Sequence, residues 1–192
     1  MDYQAQGIIL RKTDWKETGQ LFSIYTKDFG KIEAVSRGSK KILSKLNCHL
    51  QFFAVVDLSW VKAKTFDQLT GALISENFIN IKNDLKKIMV ASFGLELVDK
   101  LTKQNQPDEK IFILLTKFLG LINDNLITSA VDEKKVKELF IIKLMGLLGY
   151  EPKGEVTQSS ARLKLFLKDH LDQELKTDRF MEYFRSQNLY ID

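Results

Sequence analysis

The sequence predicts an α+β fold: a small five-stranded barrel followed by an all-α helical bundle. Two observations carry this expectation. Five short runs rich in β-branched and aromatic residues fall within about 75 residues, at hairpin spacing. Near residue 80 the hydrophobic period changes from 2 to 3.6 and stays helical thereafter. The 192 residues, 44% of them hydrophobic, are enough to build the cores such a fold requires.

The first three strands are Gly7-Ile8-Ile9-Leu10-Arg11, Gln20-Leu21-Phe22-Ser23-Ile24-Tyr25 and Lys31-Ile32-Glu33-Ala34-Val35-Ser36. Thr13–Gly19 and Lys27-Asp28-Phe29-Gly30 are the turn clusters between them, and Gly30 supplies the positive φ that a tight hairpin needs. Phe52–Val61 and Phe66–Ile74 are two longer strands. Five strands at this spacing suggest closure, with the OB-fold as the natural architecture for residues 1–80. Residues 81–192 form the helical domain. Its first helix carries Leu85, Ile88, Met89, Phe93, Leu97 and Leu101 on one face. Asp108 caps a second, whose stripe is Ile111, Leu114, Leu115, Phe118, Leu121 and Ile122. Val136, Leu139, Phe140, Leu144, Leu147 and Leu148 mark a third, stopped by a left-handed Gly149 and by Pro152. Two more helices hold Leu163, Phe166, Leu167, Leu171 and Leu175, then Phe180, Met181, Tyr183 and Phe184.

Composition excludes several classes of function. Cys48 is the single cysteine, so an internal disulfide or a cysteine-rich metal ribbon is ruled out. His49 and His170 are too few and too far apart in sequence to supply a histidine metal centre, and no metal or cofactor is expected. There is no P-loop, no Gly-x-Ser-x-Gly elbow and no His-Glu-x-x-His, so no enzyme is expected. Cys48-His49 is read as a small buried thiol beside a surface imidazole, and His170 as a core or interface residue. Asp108-Glu109 and Asp132-Glu133 sit at helix starts, where they complement the helix dipole. The opening Met1-Asp2-Tyr3-Gln4 lacks the pattern of a secretion signal, and no apolar run approaches the ~18 residues of a membrane span. A cytoplasmic protein is expected.

The charge is informative by its location. The chain carries 29 Lys and Arg against 25 Asp and Glu, a net +4. The window Ser36-Arg37-Gly38-Ser39-Lys40-Lys41-Ile42-Leu43-Ser44-Lys45 contains four basic residues and no acid, so all of the excess can be assigned to it. Lysines on a Gly/Ser-containing connection between strands can follow a phosphate backbone as point charges. The scarcity of arginine argues against bidentate reading of base edges. Lys31, Arg37, Lys40, Lys41 and Lys45 are the expected backbone contacts, with Lys12 and Lys16 second. Lys27 could extend the patch, and Trp15, Tyr25 and Phe29 either stack on single-stranded bases or fill the barrel.

Several segments resemble the RecO recombination mediators. In the barrel these are Gly7–Arg11, Thr13–Thr18, Leu21–Lys31 and Ala34-Val35-Ser36-Arg37-Gly38-Ser39-Lys40-Lys41. In the helical half they are Glu96-Leu97-Val98-Asp99-Lys100-Leu101, Lys143-Leu144-Met145-Gly146-Leu147-Leu148-Gly149-Tyr150-Glu151-Pro152 and Lys168–Phe180. The resemblance implies a nucleoid-associated protein that binds single- and double-stranded DNA, anneals complementary strands and helps load RecA. It also implies partnership with RecR and with the C-terminal tail of the single-stranded DNA-binding protein. Many RecO proteins hold a structural zinc with four cysteines after the Leu-Gly-Tyr-x-Pro segment. Here Gly154–Ser160 carries none, and the zinc module is expected to be absent. Two other readings stay open: an OB-fold protein-interaction adaptor with weak DNA binding, and an OB-fold RNA-binding protein.

Overall fold

A computed structural model describes residues 2–17, 19–36, 46, 48–124, 130–152 and 154–179. The described residues contain five strands: β1 (Asp2–Trp15), β2 (Gly19–Thr26), β3 (Gly30–Ser36), β4 (Ala54–Val61) and β5 (Asp67–Asn77). They close a barrel in the order β1-β2-β3-β5-β4, with β3 and β5 parallel at Ala34–Asp67 and Val35–Gln68 and the other pairs antiparallel. This is the five-stranded OB-type architecture. Its interior holds Ile9, Phe22, Ile24, Ile32, Ala34, Leu50, Val56, Leu58, Trp60 and Leu69. Burying side chains of this size contributes about 1.5–3 kcal/mol each.

β1 is far longer than the Gly7–Arg11 run. Its first half pairs with β4 (Asp2 with Val61, Gly7 with Val56) and its second with β2, through to Trp15 opposite Gly19. Ile9 pairs with Ile24 and Arg11 with Ser23, leaving Leu10 as an extra residue at a bulge. A bulge shifts the alternation by one residue. Arg11 therefore leaves the barrel with Ser23, while Lys12 shares the inner face of its cross-strand partner Phe22.

After a 3-10 turn at Ile79–Asn83, the helices are α1 (Leu85–Leu101), α2 (Glu109–Asn123), α3 (Ala130–Leu147), α4 (Glu155–Gln158) and α5 (Ser160–Asp169). Asp84 caps α1 through the backbone N–H groups of Lys86 and Lys87, and Asp108 caps α2 through that of Lys110. Gly149, at φ 86°, lets the Tyr150 N–H reach the Met145 carbonyl at 2.8 Å and closes α3. Leu85, Leu121 and Leu139, expected on buried stripes, face solvent. α5 stops at Asp169, short of Leu171 and Leu175. The Phe180–Phe184 helix lies outside the described residues. None of the described helices is long and apolar enough to cross a membrane.

Packing does not divide where the strands end. One core joins the outward residues Ile8, Leu10, Tyr25 and Val55 of the barrel to Phe78, Val90, Phe93, Leu97, Leu115 and Phe118. Gly94 permits α1 and α2 to meet, since a Cβ there would lie 2.3 Å from a ring carbon of Phe118. The connection between α1 and α2 lies across the β2–β3 hairpin, with the Asn105 N–H donating to the Lys31 carbonyl at 2.9 Å.

Candidate nucleic-acid interface

The outer face of β2 and β3, a common ligand face in OB-folds, is covered here by α1. Asp99 is the hub of that contact. Its carboxylate accepts from Ser23 Oγ at 2.6 Å and Arg11 Nε at 2.9 Å, and Lys31 Nζ lies 3.7 Å from it. Lys31 also donates to the Asp99 carbonyl, and Arg11 reaches Glu33 at 3.2 Å. Burial holds the Lys31 amine below its ordinary pKa, against the opposing pull of Asp99 and Glu33. Tyr25 is enclosed on the same face and donates to the Asp108 carbonyl at 3.2 Å. Burial, assisted by the Asp108 charge, pushes its phenol up to about 12.

The expected contacts thus fall into four groups. Lys31 is spent on the junction between barrel and helices and is not a surface cation. Lys12, turned inward by the bulge, donates to the Leu50 carbonyl and lies over the rings of Phe22 and Phe52 at 5.7 and 5.0 Å. Among the described candidates only Lys16, in the β1–β2 turn at φ 53°, is exposed as expected, with its ammonium 4.4 Å over the Trp15 ring. Arg37, Lys40, Lys41 and Lys45 lie outside the described residues. The window that holds them leaves β3 at Ser36, which pairs with Gln20 one rung from the Trp15–Gly19 turn. Lys27 is paired with Glu109 at 3.2 Å.

Of the three aromatics, Tyr25 is core. Phe29 packs edge-on against Trp60 at 5.2 Å and Tyr3 at 5.6 Å, so it belongs to the barrel's own aromatic cluster. Trp15 remains half-exposed beside Lys16. Sequence reasoning missed Lys62 and Lys64, both exposed in the β4–β5 turn. Lys62 pairs with Asp67 at 3.2 Å, and Asp67 lies opposite Ala34, two residues before the basic window starts. Only the closed ladder reveals that proximity. The reading of Cys48-His49 is reversed: Cys48 is exposed, while His49 Nδ1 is buried without a hydrogen-bond partner among the described residues. His170 packs against Tyr150 and Phe166 with both ring separations at 4.6 Å. No cluster of three or more His, Cys, Asp or Glu side chains suited to a metal occurs among the described residues.

An OB-type barrel fused through a shared core to a helical bundle, with cationic turns at its rim, defines the class of protein. Comparison with known families narrows it. The family described as Recombination protein O N terminal matches residues 1–78, and Recombination protein O C terminal matches residues 82–157. The chain belongs to the RecO family. It is 30% identical over 149 residues to the DNA repair protein RecO of Listeria monocytogenes serotype 4b (strain CLIP80459), covering 78% of this chain and 56% of that protein. The RecO of Alkaliphilus metalliredigens is 28% identical over 149 residues, covering 78% of this chain and 59% of the relative. That of Halalkalibacterium halodurans is 26% identical over 152 residues, with shares of 79% and 58%. The chain thus matches little more than half the length of these relatives.

Proposed function

We propose that the chain acts in DNA repair and recombination as a non-catalytic mediator. It binds single- and double-stranded DNA without strong sequence preference, anneals complementary strands and assists loading of the RecA recombinase. The observation that carries this reading is the ordered match to both RecO halves over a barrel whose β3–β4 connection holds the unbalanced basic run. Annealing needs no bond chemistry. It needs two phosphate backbones brought together while their repulsion is screened, which a lysine-rich connection can do. RecR and the tail of the single-stranded DNA-binding protein are the proposed protein partners, and the cytoplasmic nucleoid the proposed place of action.

The test is a variant with Arg37, Lys40, Lys41 and Lys45 changed to Gln. If those four residues contact phosphate, they contribute about −3 to the log–log salt slope on single strands, and the variant loses that increment. Equal affinity and equal slope for variant and parent would remove the assignment. Annealing of complementary strands should fall in parallel. One observation favours a second reading, a protein-interaction adaptor with weak DNA binding: Lys12 and Lys31 are engaged inside the fold. That reading predicts tight binding to a partner tail and negligible DNA retention at ~150 mM salt.

A further inference from the structure

Two lysines converge on the segment that returns from the basic window to β4. Lys12 Nζ donates to the Leu50 carbonyl, and Lys82 Nζ donates to the next residue, Gln51 Oε1, at 2.5 Å and to Asn77 Oδ1 at 3.2 Å. Leu50 is buried in the barrel interior, so the backbone here is fixed and both ammonium groups are held at the barrel mouth. Their partners are all neutral oxygens. Neither forms an ion pair with a carboxylate among the described residues. Asp84, close in sequence to Lys82, spends its carboxylate on the N–H groups of Lys86 and Lys87. Both side chains are only partly buried, so a solute can reach them. Other enclosed cations of the chain are paired with carboxylates: Lys31 with Asp99, Lys137 with Glu133 and Lys100 with Glu96.

We propose that Lys12 and Lys82 form a seat for one phosphate group at the mouth of the barrel. Two ammonium groups held by neutral acceptors on adjacent residues repel each other, and a partly buried charge without a counter-ion is costly. Each ammonium has three N–H donors. Lys12 uses one and Lys82 two in the contacts above, so both retain capacity for an incoming oxyanion. Burial and the Lys82 charge hold the Lys12 amine below its ordinary value, and burial does the same for Lys82. The phosphate can come from a nucleic-acid backbone or from a free polyphosphate. The proposal rests on the DNA reading only for the first source.

The full chain with 13C-labelled lysine is titrated with pyrophosphate, against sodium chloride at equal ionic strength. The expected result is that the Lys12 and Lys82 ε-carbon resonances move and that their titrations shift to higher pH with pyrophosphate alone. Lys12→Met, which keeps an apolar stem over the Phe22 and Phe52 rings, and Lys82→Gln identify the two resonances. If neither responds beyond the salt control, the pair is only a clamp on residues 50–51 and the proposal is overturned. Binding of oligothymidylate then separates the sources. For a backbone phosphate, Lys82→Gln lowers the salt slope by about 0.7, whereas Lys110→Gln, exposed at the start of α2, does not. An unchanged slope with a pyrophosphate response assigns the seat to free polyphosphate. A parent that responds to pyrophosphate but binds no DNA removes the DNA reading and leaves the seat standing.

Discussion

Replacing Asp99 with alanine removes the acceptor shared by Ser23, Arg11 and Lys31, and its cost can be worked from those contacts. The Ser23 hydroxyl donates to a charged oxygen at 2.6 Å, a bond contributing about 1.5–3 kcal/mol. Arg11 is 45% exposed and keeps Glu33 at 3.2 Å, so its share stays under about 1 kcal/mol. Lys31, with its side chain 12% exposed, keeps the Asp99 carbonyl but loses the carboxylate at 3.7 Å. Truncating one member of an enclosed pair costs about 3–5 kcal/mol. These figures count the same carboxylate and do not add, so a loss of about 3–4 kcal/mol is expected. Urea unfolding by linear extrapolation measures it, with an unchanged slope showing that the unfolded state is not altered. Asp99→Asn keeps an acceptor for Ser23 and should lose about 2 kcal/mol. Adding Lys31→Met to Asp99→Ala removes the stranded ammonium, so the double variant should beat additivity by at least ~1 kcal/mol. A loss below ~1 kcal/mol for Asp99→Ala, or strict additivity of the pair, refutes the hub.

Gly30→Ala should cost about 3 kcal/mol or more. The left-handed φ of 66° accounts for about 1–2 kcal/mol, and the new Cβ would lie 2.2 Å from the Gln106 carbonyl oxygen. A thermal midpoint unchanged within error would contradict both. Gly94→Ala raises helix propensity by about 1 kcal/mol but drives a Cβ into Phe118, so a net loss of roughly 1–2 kcal/mol is expected and a stabilised variant would refute the contact. For Tyr25 the folded phenol titrates higher than the unfolded one, so its contribution is complete below pH ~10 and is lost as pH rises towards 12. Tyr25→Phe should cost about 1 kcal/mol at neutral pH through the Asp108 carbonyl. The variant should then close on the parent as pH climbs from ~10 towards 12, and a constant difference in urea midpoints would sink this account.

Local chemistry made β2, β3, α1 and α2 legible. Gly19, Gly30 and Asp108 punctuate three of them, and each acts within a few residues of its position. What stayed hidden depends on distant partners. The bulge at Leu10 is one extra residue in an unbroken apolar run, visible only against β2, yet it decides that Arg11 faces α1 and Lys12 enters the barrel mouth. Alternation correctly turns Lys31 and Glu33 outward from the barrel. It cannot say that outward means against Asp99, 68 residues away, rather than against solvent. The turn at residues 176–179 has the same origin: the N–H groups of Lys176 and Thr177 are capped by the Glu96 carboxylate on α1, at 2.8 and 2.9 Å. This distinction governs how the interface is to be read. A count of cations over the N-terminal half treats Lys12, Lys16 and Lys31 as equals, whereas the fold gives them three different environments. Lys31 is neutralised and cements the helices to the barrel. Lys16 is free at the rim beside an available indole ring. Lys12 is enclosed but unneutralised, and of the three it alone has an electrostatic reason to recruit an anion rather than merely tolerate one. Net charge therefore measures little here; what matters is which cations the fold leaves without a carboxylate.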